Sequence, residues 1–488
     1  MKKIFLILLT AIAAVSCSDN LEDLNKNTKD PSQVSGESLF TNAQKNLVDQ
    51  MVTQNVNLNN NKLWAQYLQE TTYTDESNYD QVTRSIPDNH WSVMYKDVLK
   101  DLNRASEIIS ETVYTTDELN GRIPNKLAII EIMNVYAYAN LVETYGNIPY
   151  SEALDINQLL PKYDDGKEVY HDLISRLTAA VNSLDPSKAS FEGNEERLYE
   201  GNVANWKKFG NSLKLKMGNM LSDDDPAAAE NAIVSAVASG VFTSNDDSAT
   251  YNYLSADPNT NPVYADLVLS GRSDYVAGKT IVDIMNDRND PRRAVYFETV
   301  DGTNYVGGEI GFAANYATHS HMGDIFYTAQ NPGNILDYAE VEFIMAEAAA
   351  RGFAVPGTAE SHYIAGITAS FDYWGATGVA GYLAQPEVDY TSAIAASTAT
   401  DPWKEVIGTQ KWVALYNRGF AGWNTLRLLD YPVLSQPVDA QSGFPTRYLY
   451  PVLEQTLNGT NYAAAAAAIG GDAAETRLFW DKFYTFDF

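Results

Sequence analysis

Cysteine is almost absent from this chain of 488 residues, and Cys17 is the single one. An intrachain disulfide is therefore impossible, but a chain of this length can bury enough apolar surface to fold without one. Basic residues are also scarce, because 34 lysines and arginines face 63 acidic residues, for a formal net charge of −29. Nucleic-acid-binding surfaces are basic, so DNA and RNA are not expected as partners.

Long apolar runs are missing after the N-terminus, where no stretch reaches the ~18 uninterrupted apolar residues of a membrane span. The start of the chain has a basic pair, Lys2 and Lys3, then an apolar run over residues 4–15 and the sequence Ala-Val-Ser before Cys17. This order is typical of a signal peptide, here residues 1–16. It also resembles a bacterial lipobox, in which the cysteine is diacylated, and two acyl chains make a stable anchor.

Residues 17–37 are polar and are predicted to form a tether between the lipidated Cys17 and the folded domain. The acidic stretch at residues 18–23 resembles the surface-export signal of Bacteroidetes lipoproteins, although an ordinary solvated tether explains it as well. We therefore expect a lipoprotein that is anchored to a membrane by lipid and does not span the bilayer; the resemblance to the export signal implies an outer-membrane protein that faces the cell exterior.

Helical periodicity dominates the rest of the chain, with apolar residues recurring every three or four positions. Helices are predicted at residues 91–109, 124–145, 166–184, 205–221, 226–238, 336–351, 359–374 and 463–468, with a long and a shorter helix within 402–429. The first two of these form a predicted antiparallel pair of tetratricopeptide length, but no strict 34-residue repeat is present. The prediction is a mainly α fold of tetratricopeptide-like helix pairs in one domain, residues 38–488.

Two regions lack this periodicity. Residues 241–332 are rich in Gly, Asn, Asp, Tyr and Thr, and the tail from residue 433 onward is rich in loops. Loops of such length in a compact domain are usually functional. Residues 241–332 are therefore the predicted ligand face.

Catalytic motifs are lacking: neither H-E-x-x-H nor G-x-S-x-G occurs. His319 and His321 are the only close histidine pair, and a surface role is a better explanation for them than a metal site. The many acidic residues offer so many carboxylate pairs that none indicates glycoside cleavage. No metal, cofactor or catalytic residue is predicted, and residues 289–292 (NDPR) are interpreted as a structural turn.

Tyrosine is abundant, with 31 residues, and many of them fall in predicted loops. A tyrosine ring can stack on the apolar face of a sugar while its hydroxyl stays free to form hydrogen bonds. The alternative for each is simple packing, which is also the role expected of most tryptophans, since these lie at helical spacing. The candidate ligand-binding residues are Tyr73, Tyr79, Tyr251, Tyr253, Tyr316 and Tyr327.

An ordered series of motifs resembles one known family. They are 140–153 (NLVETYGNIPYSEA), 206–215 (WKKFGNSLKL), 289–292 (NDPR), 339–352 (AEVEFIMAEAAARG), 410–412 (QKW), 423–432 (WNTLRLLDYP) and 445–451 (PTRYLYP). Together they are similar to the SusD/RagB family of outer-membrane nutrient-binding lipoproteins. One departure is Arg427-Leu428, where many relatives have two arginines.

The resemblance implies four tetratricopeptide-like helix pairs and a loop-rich ligand face. It also implies capture of a glycan, or sometimes a peptide, without cleavage, and delivery to a SusC-like TonB-dependent transporter. Two other functions stay open from the residues alone. One is a surface glycoside hydrolase or lyase on a helical scaffold, and the other is a structural cap of the transporter that binds no ligand.

Overall fold

The computed structural model describes residues 34–483, so the predicted signal peptide and Cys17 lie outside the described part of the chain. Within residues 34–483, no helix is both long enough and apolar enough to cross a membrane. In this part of the chain helices dominate, and its six strands are two to four residues long. The predicted mainly α fold is confirmed.

The helices of the first half are α1 (Gly36–Val52), α2 (Asn61–Trp64), α3 (Ile86–Ser92), α4 (Lys100–Glu111), α5 (Asp117–Gly121), α6 (Ile123–Tyr145), α7 (Gly166–Ser183), α8 (Val203–Met220) and α9 (Pro226–Ser239). Those of the second half are α10 (Pro262–Tyr264), α11 (Lys279–Asp287), α12 (Arg293–Tyr296), α13 (Tyr338–Ala350), α14 (Ala359–Trp374), α15 (Val379–Leu383), α16 (Tyr390–Ala396), α17 (Pro402–Ala414), α18 (Gly419–Leu429), α19 (Val452–Leu457) and α20 (Gly459–Ala468). Two π-helical segments, Val93–Leu99 and Ala265–Leu269, and three short 3₁₀ turns complete the helical structure.

Local signals in the sequence set the helix ends. In α6 a proline occupies the first turn, and Gly146 follows the last residue with φ of 87°, a conformation that favours glycine. The side chain of Asp165 accepts hydrogen bonds from the first backbone amides of α7, and Asp337 does the same for α13. Such caps satisfy amides that have no partner inside the helix.

The helix pairs differ in one respect from the sequence prediction. Helix α1 was not predicted, and it begins at Gly36, inside the segment interpreted as tether. It packs along the helical run that ends with α4, whereas α6 packs chiefly on α7. The predicted contact between residues 91–109 and 124–145 is present, but it is less extensive than either of these two contacts. The other close pairs are α8 with α9 and α13 with α14.

The described residues form three antiparallel two-stranded sheets, two of which connect loops that are distant in sequence. They are β1 (Leu68–Glu70) with β5 (Tyr275–Ala277), β2 (Ile148–Pro149) with β3 (Tyr163–Asp164), and β4 (Ala249–Tyr251) with β6 (Gly333–Leu336). In the first, Leu68 lies opposite Ala277 and Glu70 opposite Tyr275. This pairing joins the loop after β1 to the irregular segment of residues 241–332.

Large aromatic and charged side chains fill the core. Trp64 makes edge contacts with Trp423 and Tyr448, at ring-centroid distances of 5.4 and 5.2 Å. The predicted turn at residues 289–292 is structural: Arg292 is fully buried, donates to both carboxylate oxygens of Asp290, and donates to the Gln410 side chain at 3.0 Å. Its guanidinium also lies 5.0 Å from the ring centre of Phe371.

The C-terminal part of the chain returns to the N-terminal part. The Tyr448 hydroxyl donates to the side-chain oxygens of Asn60 and Asn61, at 2.7 and 2.8 Å. The side-chain amide of Gln81 donates to the Arg447 carbonyl and accepts from the backbone amide of Leu449. Residues near 60–81 are thus fixed by residues that follow 366 to 388 positions later.

Candidate functional site

Strand β1 lies where three loops meet. On one side it pairs with β5, and on the other the amide of Ala314 donates to the Glu70 carbonyl at 3.1 Å. The Gln69 side chain also donates to the Phe312 carbonyl at 3.0 Å. The loop that follows β1 is therefore bounded by two parts of the irregular segment, near residues 270–275 and 309–314.

A polar cleft of about 290 Å³ opens beside β1. We call it the β1 cleft; it is lined by Asn55, Val56, Asn57, Glu70, Thr72, Tyr73, Arg84, Asp266, Ser270, Arg272, Asp274 and Tyr275. The backbone amide of Thr71 donates to the Asp274 carbonyl at 2.9 Å, and its hydroxyl donates to the Ser273 carbonyl at 2.7 Å. These bonds hold the two walls together.

Tyr73 projects from the rim of this cleft. Its side chain is 70% exposed, and its backbone is left-handed, with φ of 54°. A bulky residue rarely adopts this conformation, which costs of order 1–3 kcal/mol and is found most often at functional sites. The fold therefore keeps a large aromatic side chain in solvent at an energetic cost.

Phe312, whose carbonyl accepts from Gln69 of β1, is a second exposed aromatic residue, with 62% of its surface accessible. It follows Gly311, whose φ of 81° suits glycine. The ligand-binding candidates named from the sequence were all tyrosines, so Phe312 was missed. A glycine followed by an aromatic residue in a long polar loop was the signal that could have identified it.

Glu70, which lines the β1 cleft, forms a carboxyl pair with Glu76. Burial, followed by a hydrogen bond with Glu76, raises the pKa of Glu70 to about 9, so Glu70 is protonated at neutral pH. Ser77 donates to the Glu70 carboxyl from its backbone amide and its hydroxyl, at 3.0 and 2.8 Å. Arg84 pairs with Glu76 at 2.6 Å. Each charge in this group already has a partner.

The remaining charges near the cleft are also compensated. Arg272 pairs with Asp274 at 2.5 Å. Burial raises the pKa of Asp266 to about 6, and the nearby Lys62 ammonium opposes that rise. Lys62 is itself buried, which lowers its pKa to about 7, and it donates to the Val52 carbonyl at 2.7 Å. The cleft thus presents polar groups with little uncompensated charge.

Tyr316 and Tyr327 come together further along the irregular segment. Their hydroxyl oxygens are 3.5 Å apart, and Tyr316 stacks on His321 with 3.7 Å between ring centres. Both tyrosines are partly exposed. His319 and His321 bond to backbone carbonyls, and among residues 34–483 no group of three His, Cys, Asp or Glu side chains could hold a metal ion.

Three predicted ligand-binding tyrosines are buried, contrary to the expectation of exposed loop rings. Tyr79 is 2% exposed and packs edge-on against Phe444, while Tyr251 and Tyr253 are each 3% exposed and pack on one another. The Tyr253 hydroxyl donates to Asp49 in α1 at 2.7 Å. None of the three rings can offer a face to a sugar in this structure. Of the six candidates, only Tyr73 lines the β1 cleft.

The arrangement suits binding more readily than catalysis. Two exposed aromatic side chains flank β1, and sugar rings stack on such groups. A retaining glycosidase needs two carboxyl groups about 5–5.5 Å apart, one on each side of the scissile bond. Glu70 and Glu76 are in hydrogen-bond contact with one another, which leaves no room for a sugar between them.

Comparison with known proteins gives a consistent result. A family model for SusD-like proteins, described as "Starch-binding associating with outer membrane", matches residues 28–451. No curated protein matches the chain.

Solved structures share the fold over most of the chain. A chitin-binding SusD homolog from Flavobacterium johnsoniae is 26% identical, with a TM-score of 0.75 over 92% of this chain and 98% of that one. A SusD homolog from Bacteroides uniformis is 26% identical, with a TM-score of 0.73 over 91% and 99% of the two chains. Another from Bacteroides thetaiotaomicron is 24% identical, with a TM-score of 0.75 over 92% and 100%.

Proposed function

This chain belongs to the SusD-like family, and we propose that it is a lipid-anchored protein of the outer-membrane surface that binds a glycan without cleaving it. It then delivers the glycan to a SusC-like TonB-dependent transporter. Cys17 carries the anchor, as the lipobox resemblance implies. The family match supports the glycan and the membrane association, and the transporter is the partner that the family resemblance implies.

The observation that carries the proposal is the exposure of two aromatic rings, Tyr73 in the lining of the β1 cleft and Phe312 in the loop that bonds to Gln69 of β1. Solvent exposure of a large aromatic ring forfeits burial energy, of the order of 1.5–3 kcal/mol for a Phe-sized side chain. At Tyr73 a strained backbone adds to that cost. A sugar stacked on either ring would recover part of the lost burial, which explains why the two rings lie on the surface.

The character of the cleft indicates an uncharged ligand. Arg84 and Arg272 each pair with a carboxylate of this chain, and Glu70 is neutral. An acidic glycan would have to compete for these arginines with carboxylates already in place. Since a relative is described as a chitin-binding SusD homolog, chito-oligosaccharides are the first neutral glycans to test.

Calorimetry with a panel of chitohexaose, maltoheptaose and xylohexaose tests this proposal. Tyr73→Ala and Phe312→Ala are expected to weaken the best ligand several-fold each, because stacking is worth on the order of 1 kcal/mol. Together they should weaken binding by about tenfold or more. Phe483→Ala is the matched control, because Phe483 is 59% exposed but packs beside Lys404, on other elements of the fold.

Two results would contradict the proposal. Unchanged affinity in the double variant would show that the glycan site is not at the β1 cleft, and absence of any glycan binding by the parent would favour a peptide ligand. Incubation of the pure protein with its best glycan should release no shorter product. Steady product formation that Asp266→Asn abolishes would instead support a surface glycoside hydrolase.

A further inference from the structure

The carboxylate of Asp266 lines the β1 cleft, which Tyr73 also lines. Its Oδ2 atom is buried and has no hydrogen-bond partner in the described part of the chain. We infer that Asp266 is the residue of the β1 cleft that accepts hydrogen bonds from the hydroxyl groups of the bound sugar. The ligand class comes from the proposed function, on which this assignment rests, whereas the choice of residue rests on the contacts that follow.

The other carboxyl groups that line the cleft already have partners. Glu70 accepts from the backbone amide and the hydroxyl of Ser77, at 3.0 and 2.8 Å. Asp274 pairs with Arg272 at 2.5 Å. Within residues 34–483, the side chain of Asp266 forms neither an ion pair nor a hydrogen bond. Among the carboxyl groups of this cleft in the described chain, it is thus the one with free acceptor capacity.

The missing partner concerns the side chain of Asp266 alone. Its backbone carbonyl accepts from the Ser270 hydroxyl at 2.5 Å. The residue belongs to the π-helical segment Ala265–Leu269, and short π-helical segments occur frequently at functional sites. Most buried polar atoms in proteins have a partner, and a buried acceptor without one costs free energy. A donor group of a ligand in the cleft would remove that cost.

Lys62 explains why a neutral donor suits Asp266 better than a cation. This lysine is 2% exposed, and its ammonium donates to the Val52 carbonyl and to the side-chain oxygen of Asn417, at 2.7 and 2.6 Å. It forms no ion pair with Asp266, but its charge opposes the rise in the pKa of Asp266 that burial causes. The charge of Asp266 is therefore partly balanced, while its hydrogen-bonding capacity is unused. A hydroxyl group supplies a donor without adding a second positive charge beside Lys62.

Tyr73 and Asp266 offer the two kinds of contact that a sugar can make. The apolar face of a sugar ring stacks on an aromatic side chain, while its hydroxyl groups project outward and can donate to an acceptor. An ionised carboxylate has two acceptor oxygens and no donor, and its hydrogen bonds are stronger than those of neutral groups. Asp266 should therefore favour glycans with free hydroxyl groups at this position over glycans substituted there.

Calorimetry on the mature full-length chain, with chitohexaose, maltoheptaose and xylohexaose, tests the role of Asp266. Asp266→Asn keeps the size of the side chain but removes its charge and one acceptor oxygen. It should weaken the best of the three glycans by about tenfold, because charge-assisted hydrogen bonds are the stronger kind. Asp97→Asn is the matched control, since Asp97 is a partly exposed aspartate in the other π-helical segment, and it should not change the affinity.

Crystals of the parent protein soaked in its best glycan give a test that needs no substitution. Sugar density should lie in the β1 cleft, with a ring on Tyr73 and at least one hydroxyl oxygen within hydrogen-bond distance of the Asp266 carboxylate. This measurement decides the role of Asp266 even where Asp266→Asn fails to fold, which circular dichroism would show. Density in the cleft without such a contact would overturn the inference.

The calorimetric outcomes separate the role of Asp266 from the proposed function. If Tyr73→Ala weakens binding and Asp266→Asn does not, the sugar makes its polar contacts elsewhere and the proposed function stands. An equal loss in Asp97→Asn would attribute the effect to a general change of charge, and the inference would again fail. A parent chain that binds none of the three glycans would overturn the proposed function and, with it, the role of Asp266.

Discussion

The side chain of Asn78 donates a hydrogen bond to the carbonyl of Gly311 at 2.8 Å, across 233 positions of sequence. The amide oxygen of the same side chain accepts a hydrogen bond from the backbone amide of Asp439 at 2.9 Å. Asn78 is 4% exposed and also donates to the Thr74 carbonyl. One buried asparagine therefore joins the loop that carries Tyr73, the loop that carries Phe312 and a loop of the C-terminal tail.

Asn78→Ala is expected to weaken both the fold and glycan binding. Its loss leaves several buried backbone groups without partners, at a cost on the order of 1–3 kcal/mol. It also frees the two aromatic side chains to move relative to one another. Urea unfolding and calorimetry measure the two effects. Asn103→Ala, on an exposed face of α4, should leave both unchanged, and an affinity loss of equal size there would refute this explanation.

The stability of the chain should fall with rising pH because of Glu70. The folded state keeps this proton up to about pH 9, whereas the ordinary pKa is 4.5. Between these values the folded state binds more protons than the unfolded state, so the free energy of unfolding decreases as pH rises. The slope from this one group is at most about 1.4 kcal/mol per pH unit.

Glu70→Gln removes this dependence because glutamine does not ionise. Relative to the parent, the variant should gain stability between pH 5 and pH 8, as measured by urea unfolding at several pH values. Glu107→Gln, an exposed position in α4, is the control. Parallel stability curves for Glu70→Gln and the parent would show that Glu70 does not hold its proton in the folded state.

Trp206→Ala should destabilise the fold by roughly 3–5 kcal/mol, because the side chain is fully buried. Its indole nitrogen also donates to Glu196 at 2.9 Å, and Glu196 is itself fully buried. Trp91 is partly exposed, so Trp91→Ala should cost less. Chemical denaturation of both variants measures the loss in free energy of unfolding. Equal losses would show that burial does not determine how much each tryptophan contributes to stability.

Cys17→Ala should release the protein from the membrane without unfolding it. The expectation rests on the lipobox resemblance, since Cys17 lies outside the described residues. Membrane fractions washed with high salt should retain the parent, which is held by acyl chains, and lose the variant. Equal retention of both proteins would show that Cys17 is not the site of the anchor. The circular dichroism spectrum of the released variant should match that of the parent.

Helices were predictable where local signals mark their ends. The prediction of 124–145 differs from α6 by one residue at its start, because a proline and a glycine delimit it, and 359–374 coincides with α14. Helix α1 was missed although Phe40, Leu47 and Met51 are buried along one side of it. The polar residues just before it made the whole region resemble a tether.

The site was less predictable because burial of a loop side chain depends on distant partners. Tyr253 is buried through Asp49, about 200 positions earlier, and Tyr79 through Phe444. Neither contact produces a periodic pattern in the sequence from which it could be predicted. Tyr73 could be proposed as a candidate, but its exposure and its left-handed backbone emerged only from the structure.

The return of the tail to residues 60–81 has a consequence for how the protein is made. Asn60, Asn61 and Gln81 emerge early in synthesis, but their partners Arg447 and Tyr448 are among the last residues to emerge. The loop that carries Tyr73 therefore cannot reach its final arrangement until nearly the whole polypeptide has been made. Contacts this remote in sequence slow folding. A chain that stops before residue 445 would retain helices but lack a formed β1 cleft.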